Sequence, residues 1–447
     1  MASLQFVEID LPNLKNPAEV PAIDRAVFQK RFDQLEAARS EAGLDFILIY
    51  ADREHSANLA WLTGFDPRFE EALWIQGQTS KPMLLLGNEN IGFAPSEIKL
   101  DAQFWLYQPF GLPNQDQSLS SDLVALLRKA GLQKGVRCGV VGWKPLPQPE
   151  VPYWIVEAIH DVTGEIPINA SGMLMNPRDG LRTTMEPEMI RFCEYASSIT
   201  SNAIRTWVEN LEEGITERES ARHFVSFGLE LSCHPMVNFG RPIPSGLKSP
   251  RNGRAHRGQY AQGAFGVIGA LTCRAGRLVE AGDADEDSYL ELVTNYLEVV
   301  RRWYSKICVG AIAGEVVAAA VSQKSDRWEF ALNPGHMLHL DEWLASPFFP
   351  GSDIKLRSGY AIRQDIIPIP SQGQATINME DGFVLADEDL QNQLWHLDRA
   401  MMERSMARRA LMAKLGYEVH PDVLPLSNIA GAFFPFLLEP KYAAQFS

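Results

Sequence analysis

The sequence has few cysteines, and none of them lies in a paired motif. The five are scattered through the 447 residues without a CxxC pair: Cys138, Cys193, Cys233, Cys273 and Cys308. An odd number of isolated cysteines excludes a disulfide scaffold and a zinc ribbon, and it indicates reduced thiols inside a cell. Cys273 could in principle be a nucleophile, but a lone cysteine in an apolar strand more often serves packing.

Long apolar runs and an excess of positive charge are also missing. No apolar run reaches the ~20 residues that a membrane-spanning helix needs, and the N-terminus lacks the apolar core of a signal peptide. The net charge of −15 argues against a nucleic-acid or anionic-membrane partner. Hydrophobic residues at 46% and charged residues at 22% are ordinary for a globular enzyme. We therefore expect a cytoplasmic protein that acts on a small-molecule substrate.

Polar residues that suit a buried site are concentrated in the last third of the chain. His336 precedes two strand-like segments, residues 360–366 and 375–380, which carry Asp365 and Glu380. Alternation along each strand places the acid on one face with every second neighbour. Two adjacent strands would direct Asp365 and Glu380 into one pocket, with His336 above them.

Gly335-His336, followed by an acid at 365 and by Glu380-Asp381, resembles the creatinase/prolidase/aminopeptidase P superfamily. The resemblance implies a catalytic domain with the pita-bread fold. The usual members hold two metal ions with two Asp, one His and two Glu. Residue by residue, it places His336 on the metal-binding His, Asp365 on the first Glu and Glu380 on the second.

The sequence departs from this superfamily at both upstream acids. The two Asp should fall near Gln259–Ala264 and Ala270–Cys273, and neither segment contains an acid. The residue after the metal-binding His is Met337, and the position of the expected second His falls near Trp343, although His339 and Glu342 lie close by. Because two neighbouring dications need several anionic ligands, we expect a degenerate site without a dinuclear centre.

Two cofactor expectations follow from the remaining ligands. The first is that no cofactor binds. The alternative is one divalent ion (Mn, Zn, Co or Fe) held by His336, Asp365 and Glu380, since three protein ligands with an open position can hold one metal.

The expected reaction is a creatinase-like cleavage of a C–N bond in a small amino-acid derivative. By this resemblance, His336 or His256 would act as the base, and Asp365 and Glu380 would grip a cationic group of the substrate. One alternative is a metal-dependent Xaa-Pro aminopeptidase- or dipeptidase-like hydrolase. The other is an inactive pita-bread protein that binds a ligand, with the His and the acids serving as a structural network.

A basic segment, residues 241–257, stands out in this acidic chain. It is either a solvated surface loop or a guanidinium-rich wall that binds a substrate carboxylate, for which Arg geometry is favourable. From this loop and from the strands of the site we predict four substrate-binding residues: Arg254, Arg274, His339 and Arg363.

The expected fold is an α/β N-terminal domain, residues 1–175, followed by an α+β pita-bread domain with a C-terminal extension, residues 176–447. Thr183–Glu186 matches a capping box that would open a long helix. The apolar tail Ile429–Leu438 is expected to cover the site or an interface. Superfamily members with this N-terminal domain are commonly dimers, so we expect a homodimer.

Overall fold

A computed structural model describes residues 4–77, 81–240, 248–283, 287–371 and 376–447. The chain divides into two units, Ile23–Thr183 and Met1–Ala22 together with Thr184–Ser447. The predicted boundary at residue 175 differs from this division, which follows Thr183. The N-terminal segment also belongs to the C-terminal unit, because its first strand β1 (Leu4–Glu8) pairs antiparallel with Tyr442–Phe446. None of the helices in the described ranges is long and apolar enough to cross a membrane.

The unit Ile23–Thr183 is an α/β layer domain built on a six-stranded mixed sheet with the order β5-β4-β3-β2-β6-β7. Its elements are α1 (Arg25–Glu41), β2 (Phe46–Ala51), α2 (Ala57–Thr63), β3 (Ala72–Gly77), β4 (Met83–Leu86), α3 (Asn90–Glu97), β5 (Gln103–Leu106), α4 (Leu123–Lys129), β6 (Cys138–Val141), α5 (Tyr153–Thr163), β7 (Ile168–Asn169) and α6 (Gly172–Met175). Strand β2 is buried along its whole length, as its unbroken apolar sequence predicts for a strand covered on both faces.

The C-terminal unit is built on a seven-stranded sheet with the path β12-β13-β15-β10-β9-β8, in which β16 also pairs with β15. Its elements are α7 (Pro187–Glu209), α8 (Glu217–Ser220), β8 (Met236–Phe239), β9 (Tyr260–Val267), β10 (Ala270–Arg277), α9 (Asp287–Tyr304), α10 (Ala313–Val321), β11 (Trp328–Phe330), β12 (His336–Met337), β13 (Ala361–Asp365), β14 (Pro368–Pro370), β15 (Asn378–Leu385), α11 (Glu388–Leu397), α12 (Arg399–Lys414), β16 (Val423–Pro425) and β17 (Tyr442–Phe446). The strands predicted near 360–366 and 375–380 correspond to β13 and β15.

One face of this sheet carries the polar residues that the sequence analysis singled out. In the antiparallel register, His336 lies opposite Arg363, Asp365 lies opposite Glu380, and Glu380 lies opposite Cys273. Residues directly opposite each other project to the same side of a sheet. Alternation along β13 puts Arg363 and Asp365 on that same side. These five residues therefore share one face.

The long helix α7 packs on the opposite face. The Oγ1 atoms of Thr200 and Thr272 lie 3.0 Å apart, and Thr272 precedes Cys273 in the strand, so it points away from the site. A Cβ atom on Gly263 would lie 2.9 Å from the indole of Trp207. Glycine is therefore needed at position 263 for α7 to approach the sheet this closely.

The apolar tail Ile429–Leu438 is part of the core of the C-terminal unit. Ile429 and Phe433 are fully buried, and the carbonyl oxygens of Ile429 and Ala432 accept hydrogen bonds from Arg274. The sequence predicts that this tail covers the site or an interface. The structure instead places it in the core, where its backbone accepts hydrogen bonds from Arg274 on the face of the sheet opposite the site.

Candidate metal and catalytic site

A short hairpin brings together two of the residues that form the site. Met337 at the end of β12 forms an antiparallel bridge with Ala345, which closes the intervening loop. The loop returns Glu342 to His336, so that Oε1 of Glu342 lies 3.3 Å from Nε2 of His336. The indole of Trp343 stacks on the imidazole of His336, with ring centroids 4.3 Å apart and an angle of 17° between the planes.

Glu380 on β15 completes the cluster. Its Oε1 lies 4.0 Å from Nε2 of His336. Ligand atoms of His336, Glu342 and Glu380 all lie within 4.8 Å of one another. Asp365 sits beside Glu380 in the sheet and outside this trio. The structure thus brings His336 and Glu380 together as the sequence indicates, whereas the third ligand atom comes from Glu342 and not from Asp365.

Burial governs the protonation of these groups. It lowers the pKa of His336 to about 4, so the imidazole is neutral at physiological pH. Burial also raises the pKa of Asp365 to about 6 and that of Glu380 well above its ordinary value. Glu342 keeps 28% of its side-chain surface exposed, yet the protein around its carboxyl group raises its pKa to about 7. The cluster therefore concentrates acidic groups on a face of the sheet where Arg363, opposite His336, contributes positive charge.

The donor set fits a divalent cation. Nδ1 of His336 lies 3.3 Å from the carbonyl oxygen of Met337, so a neutral ring carries its proton on Nδ1 and turns the Nε2 lone pair toward the two carboxyl groups. Metal-binding histidines in proteins are commonly fixed in this way through the other ring nitrogen. Nε2 of His336 and Oε1 of Glu380 have no hydrogen-bond partner among the residues that the structure describes. A cation between them would satisfy both atoms.

On the β10 side of Glu380 the neighbouring side chains are neutral. Cys273 lies opposite Glu380, and its Sγ is 3.6 Å from Nε2 of Gln262 and 3.6 Å from Nδ2 of Asn378. Burial raises the pKa of the Cys273 thiol, so it is a weak nucleophile at neutral pH. Gln262 and Cys273 thus lie in the segments where the sequence lacks the two superfamily acids. The donor set favours one ion over two.

Two of the predicted substrate-binding residues lie elsewhere. Arg274 is buried on the face opposite the site, where Nη2 is 2.9 Å from each carboxylate oxygen of Asp381. Its remaining donors reach backbone carbonyl oxygens, so it has no free donor for a substrate. Arg254 is exposed, and its Nη1 donates to the carbonyl of Gly214 over 2.6 Å. The other two, His339 in the hairpin loop and Arg363 beside His336, are buried.

The predicted base His256 is exposed on the basic segment, and within the described ranges it makes no ion pair or side-chain hydrogen bond with the cluster. The part of that segment up to residue 247, including Arg241, lies outside the described residues. The part from Lys248 onward is anchored by Glu217, which is fully buried. Glu217 accepts hydrogen bonds from Nζ of Lys248 and the backbone N–H of Arg251, both over 2.7 Å.

We expect Glu217→Gln to destabilise the C-terminal unit by about 2 kcal/mol, because the amide keeps the shape but removes the counter-ion of Lys248 and places N–H groups against donors. Urea unfolding followed by tryptophan fluorescence would measure the change, and tryptic cleavage after Arg251 should become faster. The matched control is Glu212→Gln on the exposed surface. Equal stability of the two variants would contradict this role for Glu217.

No protein-family model and no curated protein matches this chain. Solved structures are similar to it. A Xaa-Pro dipeptidase from Bacillus anthracis matches with a TM-score of 0.63 and 17% identity, covering 81% of this chain and 96% of the dipeptidase. A recombinant prolidase from Thermococcus sibiricus matches with a TM-score of 0.64 and 17% identity, covering 82% and 96%. The N-terminal domain of the FACT complex subunit SPT16 from Cicer arietinum matches with a TM-score of 0.60 and 13% identity, covering 82% and 96%.

The expectation that no cofactor binds is wrong. The similar structures include Xaa-Pro dipeptidases and prolidases, and the usual members of the superfamily that this sequence resembles hold metal ions. The trio His336, Glu342 and Glu380 keeps a donor set that suits a metal. Both units fit the predicted fold class, an α/β domain and an α+β domain. The chain has the pita-bread fold of the creatinase/prolidase/aminopeptidase P superfamily.

Proposed function

We propose that this protein is a hydrolase that cleaves a C–N bond in a small peptide or amino-acid derivative, with one divalent cation held by His336, Glu342 and Glu380. One observation carries the proposal: the Nε2 lone pair of a buried, neutral imidazole faces two carboxyl oxygens at 3.3 and 4.0 Å. With both carboxyl groups ionised this arrangement sets acceptor against acceptor, which is costly in a buried place, and a divalent cation satisfies all three groups where a proton on one carboxyl group would satisfy only one contact. The names of the similar structures, Xaa-Pro dipeptidase and prolidase, support the same class of reaction.

The residues around the cation site orient the imidazole of His336 and transfer a proton. A bound divalent cation polarises a carbonyl group and makes a bound water acidic. Trp343 covers one face of His336 and holds the ring against rotation. Asp365 is placed to carry a proton, because its Oδ1 has no hydrogen-bond partner in the described part of the chain and its pKa of about 6 suits a general base near neutral pH. The proton would then pass to the leaving amine.

Metal analysis and hydrolysis assays on the full-length protein test this proposal. After dialysis against Mn, Zn, Co or Fe(II) salts, we expect about one ion per chain by plasma mass spectrometry. The assay panel contains Xaa-Pro dipeptides, N-acyl amino acids and creatine. Hydrolysis should stop on chelation and return when the metal is restored. Turnover that is indifferent to a chelator, or protein that binds no divalent ion, would reject the proposal.

A second candidate is a ligand-binding protein without catalysis. It is favoured by the neutral Gln262 and Cys273 beside the cluster and by the similarity to a domain of a complex subunit. Binding of one ion per chain together with no turnover of any compound in the panel would support this candidate over the hydrolase.

A further inference from the structure

Two neighbouring residues form the exposed side of the metal cluster. Glu342 keeps 28% of its side-chain surface in contact with solvent, and Trp343 is 38% exposed. The other polar residues around the cation site, His336, Glu380 and Asp365, are buried. Within the described ranges, a ligand that comes from solvent therefore meets the cluster on the side of Glu342 and Trp343.

The indole of Trp343 lies beside the place that the cation would occupy. One face of the indole stacks on the imidazole of His336, with ring centroids 4.3 Å apart and 17° between the planes. Nε2 of that imidazole lies 3.3 Å from Oε1 of Glu342 and 4.0 Å from Oε1 of Glu380. Because the two rings are almost parallel, the indole extends alongside the nitrogen that faces the cation. The exposed surface of Trp343 belongs to its ring edge and to the face turned away from His336.

The exposure of this indole needs an explanation beyond the support of His336. Stacking on the imidazole uses one face of the ring, and burial of the other face would add to stability, because apolar surface in water is unfavourable. Among the described residues, the ring of His336 is the one aromatic ring in contact with Trp343. A large exposed aromatic side chain beside a polar site offers a bound ligand a flat apolar surface.

The charges around the indole favour a neutral ligand group. Glu342 and Glu380 belong to the ligand set of the proposed cation, so the cation offsets their negative charge. A positively charged group on Trp343 would lie close to that cation and would be repelled by it. A neutral aromatic ring is not repelled, and aromatic pairs are more favourable than their buried area alone predicts. Asp341 adds one negative charge to the same loop, so a cationic compound belongs in the test.

We propose that Trp343 is the binding platform for an aromatic side chain of the substrate, next to the C–N bond that is cleaved. The substrate class is then a dipeptide or N-acyl amino acid with a phenylalanine- or tyrosine-like side chain beside that bond. This assignment rests on the proposed function for the cation and for the bond cleaved. The contact with Trp343 itself is measured by binding, without turnover.

The test measures binding of four amino-acid hydroxamates to the full-length, manganese-dialysed protein by calorimetry. The hydroxamate group chelates the metal in each compound, so only the side chain differs: phenylalanine, cyclohexylalanine, alanine or lysine. We expect the phenylalanine compound to bind about 10- to 30-fold more tightly than the alanine compound, as burial of a ring against the indole allows. It should also bind about threefold more tightly than the cyclohexylalanine compound, which has a similar size but no π system. The lysine compound should bind more weakly than the phenylalanine compound.

Variants of Trp343 separate contact with the ligand from support of His336. Trp343→Leu removes the ring and should reduce the phenylalanine-to-alanine affinity ratio to within about twofold. Trp343→Phe keeps a ring on His336 and should keep part of the ratio. Trp395→Leu, at a tryptophan of α11 that is 36% exposed, is the matched control and should keep the ratio in full. If Trp343 served only to hold His336, its loss would weaken all four compounds by the same factor and leave the ratio unchanged.

Manganese content and melting temperature are recorded for every variant. The assignment would be overturned by equal binding of the phenylalanine and alanine compounds to the wild type, by a cyclohexylalanine compound as tight as the phenylalanine compound, or by tightest binding of the lysine compound. An unchanged ratio in a folded Trp343→Leu variant would also overturn it, as would an unchanged ratio in Trp343→Phe if the leucine variant loses manganese. Wild-type protein that takes up no manganese, or binds none of the four compounds, would reject it as well.

The outcomes also distinguish this assignment from the proposed function. The expected order of binding without hydrolysis of any compound in the assay panel would count only against the proposed function. Chelator-sensitive hydrolysis that responds neither to the substrate's side chain nor to Trp343→Leu would count only against the role of Trp343.

Discussion

Replacing His336 with alanine is expected to abolish metal binding and to lower turnover by about a thousandfold or more, which corresponds to ~4 kcal/mol of transition-state stabilisation. His336 is the only nitrogen donor in the trio, and its orientation is fixed from two sides, by the Met337 carbonyl at Nδ1 and by the stacked indole of Trp343. The two carboxyl groups left behind would lack a third ligand. They would also gain protons, because a buried pair of acids without a cation disfavours two charges.

Metal content by plasma mass spectrometry and turnover under saturating substrate measure the effect of His336→Ala. The matched control is His396→Ala, at an exposed histidine on α11 whose Nδ1 contacts a backbone carbonyl of its own helix. Glu342→Gln should give an intermediate loss of metal, because this ligand lies at the solvent side of the cluster with 28% of its side chain exposed. A folded His336→Ala protein that binds metal as the wild type does would contradict the assigned ligand set.

The part of the site carried by strands could be predicted from the sequence. The alternation of residues 360–366 and 375–380 puts Asp365 and Glu380 on faces that can meet, and the register Asp365–Glu380 confirms this pairing. Periodicity in a strand is a local property, so a short segment suffices to predict it. The choice of Arg274 as a substrate ligand rests on its resemblance to the Arg just after the superfamily's second Asp, whereas alternation along β10 directs its side chain to the opposite face.

Glu342 was missed as a ligand because its position depends on a loop. The residue lies six positions after His336 in the chain and returns to it only because Met337 bridges Ala345. Hairpin closure of this kind depends on backbone pairing that the polar residues of the loop do not reveal. The only sequence signal for this ligand is that Glu342 lies near the position where the superfamily has a second His.

The sequence pattern also misplaces the start of helix α7, which follows the domain boundary. The pattern Thr-x-x-Glu occurs at 183–186 and again at 216–219, and only the second forms a capping box. At the first, Oγ1 of Thr183 donates to the carbonyl of Gly180, and α7 begins at Pro187 with Glu186 as its N-cap. Proline is favoured in the first turn of a helix, so α7 begins at Pro187 and not directly after the predicted cap Thr183. The pairing of β1 with β17 could not be predicted, because it joins segments that lie far apart in the sequence and no local sequence pattern indicates it.

The largest effect on stability is expected at the ion pair behind the site. Nη2 of Arg274 donates to both oxygens of Asp381 over 2.9 Å, and both side chains are 1% exposed. Oδ2 of Asp381 also accepts from the backbone N–H of Gly431 over 3.0 Å. One carboxylate therefore ties β10, β15 and the apolar tail together. With its side chain only 1% exposed, the Arg274 guanidinium has almost no contact with water to replace a lost partner.

Asp381→Asn should destabilise the protein by about 3–5 kcal/mol, since it leaves the charge of Arg274 uncompensated in the core. Urea unfolding followed by tryptophan fluorescence gives the loss, and Asp161→Asn on the exposed face of α5 is the control, with an expected change near zero. The double variant Arg274→Met/Asp381→Leu separates charge from packing. Replacing both members of a buried pair by apolar groups of similar volume is often tolerated, so this variant should recover at least half of the stability lost in Asp381→Asn. If the double variant is less stable than the single one, the hydrogen bonds of Arg274 to the carbonyl oxygens of Ile429 and Ala432 stabilise this region more than the ion pair does.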